Sequence, residues 1–209
     1  MSQPSAAPMP AETPSPLPPE FADTGGSLAI LGFWVFLGSD IVLFSCLFTA
    51  YAVYRAHVAG GPDPRTLFHY GPALLETLIL LTSSFCCGLG VHAMRNGRAA
   101  ALMAWLAATC ALGLGFVLFE LREFVVDAST GASWHRSAFL SAFFTLVGTH
   151  GGHVSFGILW GVAILVQLAR EGLNPRSASR MYTFSLYWHF LDIIWVFIFT
   201  VVYLMRALP

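Results

Sequence analysis

Five long apolar runs, separated by short polar segments, set the pattern of this 209-residue sequence. Each run is long enough to cross the roughly 30 Å hydrocarbon layer of a membrane as an α-helix. The predicted helices cover residues 28–54, 72–94, 99–121, 137–169 and 181–205. The fourth would reach about 50 Å at 1.5 Å per residue, so we expect it to tilt or to project beyond the bilayer. The pattern predicts an all-α, polytopic membrane protein with five transmembrane helices.

The segments between the runs carry turn signals, and the N-terminus has a different composition. Residues 1–27 hold seven prolines in their first twenty positions and no Lys or Arg, which predicts a disordered tail rather than a secretory signal. Asn96-Gly97 makes the second connection tight, so the second and third helices should be antiparallel neighbours. Breaks in the first and fourth connections are predicted at residues 60–64 and at Asn174-Pro175.

Composition agrees with a membrane location and excludes several functions. The chain is 56% hydrophobic and 10% charged, with a mean hydropathy of +0.70, which is far too apolar for a soluble domain of this length. The formal net charge of -1 provides no basic surface for nucleic acid. The cysteines all fall inside apolar runs and are expected to act as small apolar residues rather than as disulfides or metal ligands. They are Cys46, Cys86, Cys87 and Cys110.

The distribution of arginine gives a first indication of orientation. Five crossings place the two termini on opposite sides, and each side receives five of the ten Arg residues. On the N-terminal side they are concentrated in the two short loops after the second and fourth helices, where the positive-inside bias is most informative. We therefore expect a cytoplasmic N-terminus.

A small set of polar residues lies within the apolar runs. A charged side chain there costs about 2.5 to 3.5 kcal/mol on insertion scales, so these residues should face protein or water. Depths counted along the helices make a pairing of the acids in the first and last helices possible. The set comprises Asp40, Glu76, Glu120, His150, His153, His189 and Asp192.

The fourth run places two histidines among small residues. His150 and His153 share one helix face at spacing i, i+3, and Gly157 and Gly161 continue that face. Gly148, Gly152 and Ser155 fall on the opposite side. A helix that is smooth on two sides can be approached closely by two neighbours, so we expect this helix to be internal to the bundle.

Two interpretations of the polar residues follow from their chemistry. His150, His153, His189 and Asp192 are groups that bind iron, copper or zinc, and two facing helices could present them to one metal or haem. Neither the pair His150 and His153 nor the pair His189 and Asp192 has further ligand-type residues at ligand spacing. The glycines adjacent to the histidines of the fourth run indicate close packing. These observations favour a structural network of interhelical hydrogen bonds.

Two segments carry a specific resemblance to a known family. Residues 147–154, VGTHGGHV, and residues 187–195, YWHFLDIIW, resemble the signature pair of subunit III of haem-copper respiratory oxidases. Residues 39–44, SDIVLF, and 120–123, ELRE, support the match. The resemblance covers nearly everything after residue 28 and implies a subunit III-type helix bundle.

The number of helices and two further segments refine the resemblance. Longer family members have seven helices, whereas this chain has room for five. The five-helix form, together with residues 139–144, FLSAFF, and 199–205, FTVVYLM, is similar to subunit III of cytochrome bo-type ubiquinol oxidases. Some bacterial cytochrome c oxidases also have a five-helix subunit III, so that alternative remains open.

The resemblance implies an accessory role in a proton-pumping oxidase of the bacterial inner membrane that reduces O2 to water. Haem, copper and quinol oxidation would belong to partner subunit I, and this chain would hold no catalytic residue, cofactor or metal. It would contact subunit I, other subunits and phospholipid, and would support assembly and proton uptake. The same resemblance implies a cytoplasmic N-terminus and a periplasmic C-terminus.

Two functions of other classes are compatible with the residues alone. One is a stand-alone intramembrane metal or haem protein that uses His150, His153, His189 and Asp192. The other is a proton-coupled transporter with Asp40, Glu76 and Asp192 as its relay, although no inverted repeat or interrupted helix is evident.

Overall fold

The computed structural model describes residues 18, 20, 24–54, 70–129 and 137–204. Its helices are α1 (Thr24–Tyr54), α2 (Tyr70–Arg95), α3 (Ala99–Ser129), α4 (Ala138–Glu171) and α5 (Pro175–Ile198), and α5 continues as a π-helical turn over Phe199–Leu204. By length and composition, five helices of the described part are able to cross a membrane. The predicted fold class of five membrane-spanning helices is confirmed.

The helices are arranged as a four-membered ring with one helix outside it. Helices α2, α3, α4 and α5 each pack against the next, and α5 packs back against α2. Helix α1 packs on the outside, against α4 and α5. It leaves Leu28, Leu31, Val35 and Val42 exposed, as expected for a surface that faces lipid or another apolar chain.

The connection between α2 and α3 is as tight as its sequence predicts. Gly97 has a positive φ of 68°, a conformation that glycine adopts at little cost. The amide of Arg98 donates to the carbonyl of Ala93 at 3.0 Å and closes the end of α2. The chain then reverses, and α2 and α3 pack as antiparallel neighbours.

Three helix boundaries differ from the predicted ones. Helix α3 extends to Ser129 rather than to 121, because charged residues at its end do not interrupt backbone hydrogen bonding where a helix leaves the apolar layer. Helix α5 begins at Pro175 rather than at 181, since Asn174 and Ser177 form a capping box and proline suits the first turn. Helix α1 begins at Thr24, inside the predicted tail.

The other predicted boundaries lie close to the observed ones or outside the described residues. Helix α4 follows its N-cap Ser137, whose side chain accepts from the amide of Leu140 at 3.2 Å. Most of the 1–27 tail and the first connection fall outside the described residues, so the prediction of a disordered tail stays a prediction. Within that tail, Glu20 accepts two hydrogen bonds from Arg95 at 2.7 and 3.0 Å.

Candidate functional site

Helix α4 packs against α1, α3 and α5, but it is not internal as predicted, because Phe156 and Leu159 on its outer face are exposed. Glycines on its inner face allow the close contacts with α3 and α5. A Cβ on Gly157 would lie 2.9 Å from Trp188 Cζ3, and one on Gly161 would lie 2.6 Å from Cys110 Sγ. Gly148 is less crowded, with Phe124 Cε2 at 3.6 Å from its Cβ position. Side chains larger than hydrogen at the two tight positions would push α4 away from α5 and α3.

Gly152 does not pack in the way its sequence position suggests. No heavy atom lies within 4 Å of its Cβ position, and the residue is exposed within the chain. The close contact belongs to the preceding residue, Gly151, whose Cβ would lie 2.6 Å from Glu120 Oε2. Successive residues of a helix are about 100° apart, so Gly151 lies against α3 whereas Gly152, which was predicted to pack, faces away from it.

His150 lies in the centre of the four-helix ring. It is fully buried, and its ring contacts those of Phe116 and Trp195 at centroid distances of 5.7 and 5.2 Å. Its Nε2 donates to the carbonyl of Leu191 at 3.2 Å, because a carbonyl oxygen only accepts. This contact joins α4 to α5, the two helices that carry the paired motifs.

His153 faces α1 instead of the ring interior. Its Nδ1 donates to the Thr149 carbonyl at 2.7 Å, and its Nε2 lies 3.7 Å from Asp40 Oδ2. The ring also contacts Phe44 at a centroid distance of 5.3 Å. Although His150 and His153 are one turn apart, the first joins α4 to α5 and the second joins α4 to α1.

His189 and Asp192 form a third polar contact, at the seam between α2 and α5. Ser84 Oγ and His189 Nδ1 share a hydrogen bond of 2.7 Å, and Asp192 interacts electrostatically with His189. Asp40 therefore has its closest described ionic contact on α4, whereas Asp192 interacts across the α2–α5 seam. The suggested pairing of Asp40 with Asp192 is not found.

Glu76 and Glu120 lie on the facing helices α2 and α3. Their exposed fractions are 1% and 4%. Glu76 Oε1 and both carboxylate oxygens of Glu120 are buried without a hydrogen-bond partner among the described residues. The carboxyl group of Glu120 rests on Gly151 of α4, which places it at the same level of the bundle as His150.

The polar residues thus form separate pairs rather than one ligand set. Among the residues that the structure describes, no three His, Cys, Asp or Glu side chains converge closely enough to hold a metal ion. His150 already uses Nε2 on a backbone carbonyl, and His153 and His189 belong to different helix contacts. His150, His153, His189 and Asp192 therefore do not converge on one metal ion in the described part of the chain.

Several contacts in this region could not be deduced from spacing. Trp188 Nε1 donates to Ser83 Oγ at 3.1 Å, and Trp195 Nε1 donates to Thr77 Oγ1 at 3.0 Å. Both bonds join α5 to α2. The available signal was that buried indole N–H groups need an acceptor, but the sequence does not show which hydroxyl provides it. Gly113 is a further unexpected position, since its Cβ would lie 2.7 Å from Trp188 Cη2.

A comparison with known families assigns the chain. The family model described as cytochrome c oxidase subunit III matches residues 25–207. The chain belongs to this family. The match spans all five helices and the π-helical turn, and the resemblance inferred from the two motif segments is confirmed.

Individual members of the subunit III family are similar over almost their whole length. The quinol oxidase subunit 3 of Bacillus spizizenii is 50% identical over 188 residues, which cover 90% of this chain and 92% of the relative. The cytochrome bo(3) ubiquinol oxidase subunit 3 of Pseudomonas aeruginosa is 46% identical over 186 residues, or 89% and 88% of the two chains. The cytochrome c oxidase subunit 3 of Bacillus sp. strain PS3 is 44% identical over 195 residues, or 93% and 94%.

Proposed function

We propose that the chain is the accessory third subunit of a membrane oxidase that oxidises quinol and reduces O2 to water. The observation that carries the proposal is the 50% identity, over nine tenths of the chain, to a relative named quinol oxidase subunit 3. In this proposal haem and copper are held by partner subunit I, and the present chain contains neither. The separate polar pairs support this division, since each serves a helix contact.

The contribution of this subunit is structural. The pairs at His150, His153 and His189 join α4 to α5, α4 to α1 and α2 to α5. Those contacts fix the bundle while the exposed apolar side chains of α1 and α3 remain free for other subunits and for phospholipid. A rigid bundle of this kind would support assembly and proton uptake in subunit I without taking part in electron transfer.

The proposed orientation places the N-terminus in the cytoplasm of a bacterial inner membrane. Arg95 and Arg98 flank the α2–α3 turn, and Arg170, Arg176 and Arg180 flank the α4–α5 connection. Both connections lie on the N-terminal side of the bundle, and short basic loops favour the cytoplasmic side. The C-terminus would then be periplasmic.

A second candidate differs only in the electron donor. The relative from Bacillus sp. strain PS3 is named cytochrome c oxidase subunit 3 and covers the chain as completely as the quinol oxidase relatives. The fold of the bundle does not distinguish the two donors, because the donor would bind other subunits.

Purification through an affinity tag on this chain tests the proposal. In mild detergent we expect the other oxidase subunits to copurify, and the complex to consume O2 with a reduced quinol and not with reduced cytochrome c. An untagged strain processed in parallel controls for nonspecific recovery. Oxidation of cytochrome c alone would select the second candidate, and recovery of the chain without other subunits would reject both.

A further inference from the structure

The acids Glu76 and Glu120 are not explained by a structural role alone. Asp40 and Asp192 each keep one buried oxygen without a hydrogen-bond partner, but each has a histidine nearby. Glu76 Oε1 and both oxygens of Glu120 are also buried without a donor in the described chain, and no ion pair is found for either residue there. They come from α2 and α3, two helices that pack against each other, and both side chains are buried. An ionised carboxylate in such a place loses its hydration without compensation.

The described charged groups that interact with Glu76 and Glu120 are acidic. Glu123 lies one turn beyond Glu120 on α3 and interacts with both acids, so it adds negative charge. His150 is the titratable group on α4 at this level, and its Nε2 already donates to Leu191. Among the described residues, no Arg or His forms an ion pair with Glu76 or Glu120.

Polar groups on α2 and α5 interact with one another rather than with the two acids. Thr77, which follows Glu76, donates to the Ala73 carbonyl at 2.7 Å and accepts from Trp195. His189 and Asp192 interact with each other and with Ser84. Among the described residues, no cation is therefore paired with either carboxyl group, and two ionised carboxylates buried in a medium of low dielectric constant would be unbalanced there.

We propose that Glu76 and Glu120 form an intramembrane proton-binding site that holds at least one proton at neutral pH. The ligand is a proton. Its binding converts a carboxylate into a carboxylic acid, whose hydroxyl group is a hydrogen-bond donor. Two carboxyl groups that share a buried site do not both stay ionised. The site lies near the start of α2 and in the last part of α3, and therefore at the C-terminal side of the bundle.

Infrared difference spectroscopy on the purified complex tests the site. Spectra of the unmodified complex and of the Glu76→Gln and Glu120→Gln variants are recorded at neutral pH in H2O and D2O. The spectrum of each variant is then subtracted from that of the unmodified complex. We expect at least one substitution to remove the C=O stretch of a protonated carboxylic acid, a band that shifts in D2O. Glu171→Gln is the matched control, because Glu171 is exposed at the end of α4 and should remove only carboxylate bands.

The proposal is overturned if both substitutions remove only carboxylate bands, as the control does. Glutamine has nearly the shape of a protonated glutamic acid, so both variants should assemble. Failure of both to assemble would also contradict the proposal, since it would mean that the negative charges are required. If only one variant assembles, loss of the protonated carboxylic acid band in its difference spectrum supports the proposal, and loss of carboxylate bands alone contradicts it. The outcome does not depend on whether the complex uses quinol or cytochrome c.

Discussion

Trp188→Ala should lower the stability of the bundle by about 3 to 5 kcal/mol, the range for removing a buried aromatic side chain. Trp188 is almost completely buried and stacks on Phe184 at a centroid distance of 5.5 Å. It also fills the space left by Gly113 on α3 and Gly157 on α4. The Ala variant would leave a cavity where three helices meet. The loss of stability is measured as a lower midpoint of thermal unfolding in detergent.

Two further variants serve as comparisons. One retains an aromatic ring at position 188, and the other removes an exposed tryptophan elsewhere. Trp188→Phe loses the bond to Ser83, whose hydroxyl still donates to the Thr109 carbonyl at 2.9 Å, and it loses part of the ring that lies against Gly113 and Gly157. The loss of stability should be smaller than that of Trp188→Ala, about 1 to 3 kcal/mol. Trp34→Ala removes an exposed tryptophan of α1 and should leave the midpoint of the isolated bundle nearly unchanged. Equal losses in all three variants would contradict the assigned role of Trp188.

Gly113→Ala and Gly115→Ala should have opposite effects although they lie two positions apart on α3. A Cβ at Gly113 would lie 2.7 Å from Trp188 Cη2, whereas no heavy atom lies within 4 Å of the Cβ position of Gly115. Overpacking at Gly113 should cost about 1 to 3 kcal/mol. Alanine at Gly115 should be neutral or should stabilise α3 by up to about 1 kcal/mol, because alanine favours helix.

Thermal unfolding of the two alanine variants under the same detergent conditions checks this pair. Both substitutions change helix propensity in the same way, so the difference between them reports the contact with Trp188. If Gly115→Ala is as destabilising as Gly113→Ala, close packing at Trp188 is not what requires glycine at position 113.

The sequence was sufficient for the helices because length and apolar composition decide whether a segment crosses a membrane. The tight turn at Gly97 was likewise local, since a positive φ is needed there. Helix ends were less predictable. Polar residues at the end of α3 and the cap at Asn174 remain compatible with helix outside the apolar layer, so hydropathy alone placed both boundaries too early or too late.

Partners of the polar residues depended on the tertiary arrangement. Spacing predicted that His150 and His153 are neighbours on α4, but not that one would donate to Leu191 and the other would lie near Asp40. The difference between Gly151 and Gly152 also needed the position of Glu120. Periodicity identifies the side of a helix that carries small residues, whereas the neighbouring helix decides which of two adjacent glycines is required.

In the proposed function the intramembrane histidines stabilise helix contacts, and the redox cofactors belong to another polypeptide. The most direct measurement is the haem, iron and copper content of the assembled complex in His150→Ala and His189→Ala variants, by absorption spectroscopy and elemental analysis. We predict a lower yield or thermal midpoint with an unchanged content of haem and copper per assembled complex. Loss of one equivalent of haem or metal from a complex that retains all its subunits would contradict this proposal.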